Sequence, residues 1–411
     1  MDVQRSATSV VRKLSKAGYI AYFAGGWVRD HLLKRSSSDI DIATNAPPEV
    51  ILDLFPHTIL VGLSFGVVVV IFEGYQFEVA TFRKDIGYLN GRKPEQIELS
   101  TPQEDALRRD FTINGMFYDP LAEEIYDFVG GASDLKKGVI RTIGSPYERF
   151  VEDRLRMIRA IRFACRFEFF IEADTQDAIA ENANTLFPAV AMERIWQELT
   201  KMSMMPNFNH ALIEMHRLRL LPVIFPELEH VHLHEMKRRV SVFTFYPNNS
   251  PTVLYLLALF PEASVEKLIG ICQNLRVSNR DMALVKLAMH CKTLVESHQE
   301  VDDVSWVHFY AKSDAQCVLL VDAALRPAEK QGILLENHYL RQKSFHEHIL
   351  RVIHRNPLVT SARLKEQGIP EGKLLGVLLK EAERIAIGKD LSTANSALEE
   401  LQKSTFWPKN D

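Results

Sequence analysis

The sequence is poor in cysteine, has no long apolar run and carries no excess of either charge. Its four cysteines, Cys165, Cys272, Cys291 and Cys317, lie far apart and form no CxxC pair. That excludes a disulfide framework and a cysteine zinc site, and it fits a reducing, cytoplasmic compartment. No stretch reaches the ~18 apolar residues of a membrane span, so no membrane partner is expected. The net charge of −4 argues against a chain that coats nucleic acid wherever it meets it. A local basic groove stays possible, because the field at a site depends on where charges sit. There is no strict repeat, no low-complexity linker and no His-Asp phosphohydrolase pattern. Gly368 to Lys373 falls one residue short of a phosphate loop, and no Ser or Thr follows the lysine. His230, His232 and His234 alternate as on a strand, without a ligand cluster around them.

What is present divides the chain in two. Residues 1–140 alternate between helical and strand patterns. Val10, Val11 and Leu14 recur at helical spacing and Gly18 ends the run, which favours a first helix over a basic transit segment. Short strands are expected over 19–24 and 39–43, with helices over 27–33 and 47–55. The β-branched runs 66–72 and 76–82, with Glu73-Gly74 between them, signal a hairpin. Polar residues 84–103 are expected to form a loop. From about residue 145 helical periodicity dominates, at 150–166, 173–184, 191–203, 208–219, 252–260, 265–274, 280–297, 315–325, 343–353 and 371–398. The fold class is therefore α+β: a small mixed head followed by an all-α neck, body and tail. The expected boundaries are 1–145, 146–205, 206–330 and 331–411.

The chemistry begins with Gly25-Gly26-Trp27-Val28-Arg29-Asp30 and Ser38-Asp39-Ile40-Asp41. Side chains two apart on a strand face the same side, so Asp39 and Asp41 project together. Two carboxylates so close repel each other, and Mg²⁺, an oxygen-seeking cation commonly held by one or two carboxylates and substrate phosphates, relieves that repulsion. Gly25 and Gly26 let backbone amides approach phosphate oxygens, and the next helix aims its N-terminus and Arg29 at the same anion. Either element alone is more often an ordinary turn; together and in this order they point to nucleotidyl transfer.

These residues resemble the first motif of the class II tRNA nucleotidyltransferase and bacterial poly(A) polymerase family. FEVATFR at 77–83, RRDFTINGM at 108–116, VGGASDLKKGVIRTIG at 129–144, RFVEDRLRMIRAIRFACRF at 149–167 and ERIWQEL at 193–199 resemble later motifs in the same order. The resemblance implies a polymerase-β-like head, catalysis and metal binding by Asp39 and Asp41, and a nucleotide contact by Arg109. It implies that Asp153 and Arg156 select CTP and ATP as a protein template, with Arg159 and Arg162 facing the triphosphate. From spacing, Asp153 and Arg156 share a helical face and could pair with each other. Glu78 could be a third metal-side carboxylate or a structural ion-pair partner.

The resemblance further implies addition of CCA to tRNA from CTP and ATP, with poly(A) or A-only addition as alternatives and no protein partner. A full-length loop over 83–107, including Arg83, Lys84, Asp85, Gly87, Tyr88, Gly91, Arg92 and Lys93, disfavours CC-only addition. The segment 357–379 resembles the tRNA-binding tail of tRNA-type members, and the chain ends without a basic extension. Val61-Gly62-Leu63 and Phe65-Gly66-Val67 also follow the tRNA type. Trp27 departs from the small residue usual after the glycine pair.

Overall fold

The computed structural model describes residues 2–62, 66–89, 93–297 and 302–408. The chain divides into two compact units, Met1–Lys237 and Arg238–Asp411, and that division lies inside the stretch expected to be the body.

The first unit opens with α1 (Val3–Lys16), whose Ala7, Val10, Val11 and Leu14 form one buried face. The sheet elements that follow are β1 (Ala21–Ala24), β2 (Asp41–Thr44), β3 (Thr58–Gly62), β4 (Val67–Phe72) and β5 (Tyr75–Thr81). Helices α2 (Gly26–Leu32) and α3 (Pro48–Leu54) lie between them in sequence. After β6 (Arg83–Leu89), β7 (Lys93–Leu99) and α4 (Pro102–Leu107), strands β8 (Met116–Asp119) and β9 (Glu124–Asp127) complete a seven-stranded sheet of order β3-β4-β5-β2-β1-β8-β9. Only β2 and β5 pair in parallel within it. The expected hairpin forms: Glu73 and Gly74 both take positive φ, as a two-residue turn matched to strand twist requires.

Register decides what meets at one end of this sheet. Ala24 pairs with Asp41 and with Phe117, and Ile42 pairs with Val79. The glycine turn leaving β1, the first residue of β2, Glu78 of β5 and the segment entering β8 therefore converge. The amide of Gly25 seals this end by donating to the carbonyl of Met116 at 3.3 Å.

Four expectations are corrected. Residues 83–107 are not a loop: β6 and β7 form their own antiparallel hairpin, and α4 follows, closed by a capping box between Thr101 and Glu104. Among the described residues the hairpin pairs only with itself, and its sequence, broken by glycine, proline and charged residues, lacks the alternation by which a strand is recognised. Gly91 and Arg92, like Leu63 and Phe65, lie outside the described residues. Second, the paired part of β2 starts at Asp41; Asp39 precedes it, though alternation persists, with Ile40 and Ile42 in the core and Asp39 and Asp41 on the cleft side. Third, the helix expected over 150–166, beyond the short α5 (Gly131–Lys137), is two helices, α6 (Pro146–Glu152) and α7 (Leu155–Phe167). Asp153 is extended between them, and its carboxylate accepts the amide of Leu155 at 3.0 Å, a local bond that competes with helix continuation. Fourth, His234 lies in a helix, Leu233–Ser241, and its ring stacks on His232 at 5.8 Å; among the described residues no three metal-ligating side chains cluster.

Trp27 finds its place on the sheet. It meets Phe23 edge-on at 4.9 Å and stacks on His31 at 4.8 Å.

The second unit is helical in its described residues. Helices form over the expected stretches, except that 371–398 is two helices, and unexpected ones appear as well, among them Asp303–Tyr310, Ala328–Ser344 and Ser361–Glu366. Ala328–Ser344 buries only His338, so it has no apolar stripe to betray it. Its last helices, Lys373–Gly388 and Ala394–Gln402, close a small core of Leu364, Leu378, Ala382, Ala397 and Leu401. No helix among the described residues is long and apolar enough to cross a membrane.

One glycine supports the segment entering β8. A Cβ at Gly131 would lie 2.2 Å from the carbonyl oxygen of Thr112 and 2.9 Å from Cγ of Met116. Backbone cannot yield as a flexible side chain can, so Gly131→Ala should destabilise the first unit by about 1–3 kcal/mol, the usual range for overpacking. A thermal melt checks it: an unchanged Tm would mean that this contact relaxes freely.

Candidate active site

Asp39 and Asp41 stand at the sheet end where the glycine turn leaves β1. Burial against the cleft wall, then the charges of Asp39 and Glu78, push the Asp41 carboxyl up to about 6, against the pull of Arg109. Glu78 thus acts on Asp41 through its charge but does not line the cleft. Gly25 has φ 63° and ψ −123°, a conformation that L-residues avoid. A Cβ there would sit 3.0 Å from Nη1 of Arg109 and 4.0 Å from Oδ2 of Asp41. The turn therefore needs glycine twice, for its backbone and for the space in front of the carboxylates.

The arginines around this point are individually anchored. Arg108 and Arg109 both donate to the buried Asp105, at 2.9 and 3.0 Å. Burial would raise that carboxyl, but Arg109 and Arg108 outweigh it and hold it below its ordinary range. Arg109 also donates to the carbonyl of Asn114 at 3.3 Å. Arg29, almost wholly buried, donates to Asp30 at 2.8 Å and to Oδ1 of Asn114 at 2.6 Å. Asn114 passes the chain on to Asp110 at 3.0 Å, and Asp110 accepts Arg159 at 2.5 Å. Burial works against the Asp110 charge, yet Arg159 and Asn114 hold its carboxyl down at about 2.

Helix α7 supplies the opposite wall. The expected pair between Asp153 and Arg156 is not made. Arg156 donates to Glu152 at 2.7 Å, to the carbonyl of Arg149 at 3.2 Å and to the carbonyl of Arg108 at 3.1 Å. Asp153 instead accepts Arg194 at 2.9 Å, from the helix Met192–Ser203. The same helix offers Glu198, which takes Nε of Arg162 at 2.6 Å. The extended backbone at Asp153 is why the two part: it removes Asp153 from the helical face that Arg156 occupies.

One open cleft of about 470 Å³ lies between these walls, with Asp30, Asp105, Glu152, Arg194 and Glu198 behind its lining. It brings together Gly25, Gly26, Arg29, Asp39, Asp41, Arg109, Asp153, Arg156, Arg159 and Arg162, the ten residues singled out from the sequence. It adds Arg108, Asp110, Asn114, Phe163 and Arg166. Arg108, Asp110 and Asn114 lie in the 108–116 motif, and Arg166 continues the arginine spacing of α7, so their signal was local. Phe163 has none: its apolar ring fits a core position, and only the structure shows guanidiniums around it. Seven arginines and four aspartates line the cleft among the described residues, an excess of positive charge suited to a polyphosphate.

Known proteins share this arrangement's sequence. Residues 21–141 match the poly A polymerase head domain family, and residues 168–231 match a family described as a probable RNA and SrmB-binding site of polymerase A. The CCA-adding enzyme of Lactobacillus johnsonii is 30% identical over 413 residues, which span 97% of either chain. The chain belongs to the CCA-adding enzyme family. The family member from Enterococcus faecalis is 44% identical over 48% of either chain. The Bacillus stearothermophilus CCA-adding enzyme, solved in complex with CTP, superposes with a TM-score of 0.78 at 25% identity, over 98% of both chains. The Thermotoga maritima CCA-adding enzyme, solved with tRNA, shares the fold, with a TM-score of 0.65 at 22% identity over 96% of this chain and 94% of that one.

The Arg162–Glu198 pair gives a direct test of how this family's cleft is held here. Both side chains are more than nine-tenths buried. Removing one partner strands the other charge, which typically costs about 3–5 kcal/mol. Glu198→Ala should therefore lower stability to denaturant by about that amount; a loss under ~1 kcal/mol would show that Arg162 finds water or another partner.

Proposed function

We propose that the chain adds C, C and A in turn to the 3′ end of tRNA, from CTP and ATP with release of pyrophosphate, and that the cleft of the first unit is its active site. The observation that carries this reading is what the cleft combines: a carboxylate pair beside a glycine turn, a surplus of anchored guanidiniums, and Asp153 and Arg156 facing one space. The names of the relatives support it, as do the family structures with CTP and tRNA. Four free cysteines and the tRNA substrate fit the cytoplasm.

Asp39 and Asp41 fit Mg²⁺. They are hard oxygen donors, and the charges of Asp39 and Glu78 beside Asp41 are the kind of repulsion that a divalent cation relieves. Bound there, Mg²⁺ would lower the pKa of the attacking 3′-hydroxyl and offset charge on the leaving pyrophosphate. The chain's own groups do the rest. Gly25 and Gly26 keep the approach to the phosphates clear, and Arg29 and Arg109 supply positive charge beside them. Arg159 and Arg162 face the triphosphate, each steadied by a carboxylate on its other edge. Asp153 accepts from the exocyclic amino group of cytosine or adenine, and Arg156 donates to the adjoining ring acceptor. UTP and GTP present the opposite pattern and would leave a desolvated charge unpaired, which costs more than a good pair gains. Because Arg194 and Glu152 hold their outer edges, both readers meet the base already oriented.

The deciding assay offers tRNA lacking its last three nucleotides with CTP, ATP or both. CC followed by one A, stopping there, is the expected product. Processive A addition would identify a poly(A) polymerase instead, and a single A only on tRNA ending in CC an A-adding enzyme. Arg156→Ala should blur selection, so that UTP or GTP enters; selection that stays sharp would refute the template role.

Metal binding should follow the Asp41 proton. Below about pH 6 Asp41 is protonated and must release its proton to bind a cation. Affinity for Mn²⁺, used as a spectroscopic stand-in, should fall about tenfold per pH unit below that point and level off above it. A flat profile from pH 5 to 8 would remove Asp41 from the metal site. Asp41→Asn should lose the metal without losing stability. A carboxyl whose folded pKa lies above its unfolded value works against the fold as pH rises from about 4 through 6.

A further inference from the structure

Phe163 and Phe167, one turn apart on α7, stack at 6.2 Å with their planes 9° apart. Guanidiniums surround both rings. Arg162 lies 4.2 Å from the centre of Phe163, and Arg159 lies 5.3 Å from it. Around Phe167 stand Arg29 at 4.6 Å, Arg166 at 5.0 Å and Arg35 at 5.2 Å. A ring face attracts each cation without neutralising it, so the phenylalanines hold like charges close together.

The two rings differ in how their cations are balanced. At Phe163 the guanidiniums of Arg159 and Arg162 each have their own carboxylate, Asp110 and Glu198, while Arg29, 5.4 Å from that ring, is common to both rings. At Phe167 three guanidiniums share one. Asp30 takes Arg29 at 2.8 Å and Arg166 more loosely at 3.4 Å. Arg35 is exposed and has no carboxylate partner among the described residues. Burial first, then the charges of Arg29 and Arg35, push the Arg166 guanidinium down despite Asp30. Arg166 lines the nucleotide cleft and Arg35 does not, so the surplus begins where the cleft ends. Arg156, Arg159, Arg162 and Arg166 follow one helix for about 15 Å, from the base-reading end outward.

We propose that Arg35 and Arg166, positioned by the Phe167 ring, form an anion subsite that takes a phosphodiester near the 3′ end of the RNA being extended. This rests on the proposed function. It adds a hold on the RNA at the outer edge of the cleft, separate from the groups assigned to the incoming triphosphate. Phe167 is a positioning residue: it touches no substrate and acts by fixing two cations over one ring.

The test measures binding of tRNA lacking CCA by fluorescence anisotropy between 50 and 200 mM salt, beside KM for CTP. Arg35→Gln, at an exposed position, should weaken RNA binding several-fold and make the log–log salt slope shallower by ~0.7, the value for one phosphate contact to a single strand. KM for CTP should move less than twofold. Phe167→Leu should weaken RNA binding in the same direction, and Phe167→Tyr, which keeps the ring, should restore it. An unchanged RNA affinity and slope in Arg35→Gln would overturn the subsite. So would a rise in KM for CTP that matches the RNA loss, since the pair would then serve the triphosphate. If the unaltered protein binds RNA with the expected salt dependence but never extends it, the proposed function fails and the subsite stands. If it binds no RNA, both fall.

Discussion

Crowding of like charge is the constraint around which the first unit is built. Seven guanidiniums line one cleft, and two carboxylates repel each other at its end. Such a site cannot be left to solvent, because unpaired buried charge costs several kcal/mol per ion. The fold meets this with dedicated partners. Asp105 serves Arg108 and Arg109, Asp110 serves Arg159, Glu198 serves Arg162, and Asp30 serves Arg29 and Arg166. Aromatic rings take faces that carboxylates leave free. Most of the polar structure of this unit can be understood as the support that lets a polyanion site exist before its polyanion arrives.

The same bonds join the nucleotidyltransferase head to the helix beside it. Arg156 reaches the carbonyl of Arg108, Arg159 reaches Asp110, and Arg166 reaches Asp30. All three head residues lie in the glycine-turn and RRD segments, so α7 is attached beside the cleft, not at a remote surface. The helix Met192–Ser203 completes the support from behind, through Arg194 and Glu198.

Much of this was legible in the sequence, for reasons that can be named. The β-branched run Val67–Phe72 and the turn at Glu73-Gly74 announce their hairpin, and the buried face of α1 follows its periodicity. The ten candidate residues were found because motif order constrains them jointly. What was hidden had no local signature. Strands β6 and β7 join no other strand among the described residues and carry a sequence broken by glycine, proline and charge, and the helix Ala328–Ser344 buries little besides His338. The break at Asp153 is a side chain competing with the backbone, and from spacing alone Asp153 was equally a helical partner for Arg156. Arg194 and Glu198 lie about 40 residues from the groups they hold, beyond the reach of any periodic pattern.

The register of β2 has a consequence for how errors in folding would present themselves. Ile40 and Ile42 are buried while Asp39 and Asp41 face the cleft, and Ile42 lies beside Val79 of the parallel neighbour. A slip of one residue would exchange the two sets, pushing carboxylates into the core and presenting isoleucines to the cleft. Such a chain could not be a slightly weakened enzyme. It would be both unstable and chemically blank, so inspection of the core and inspection of the catalyst are, at this strand, a single act of proofreading.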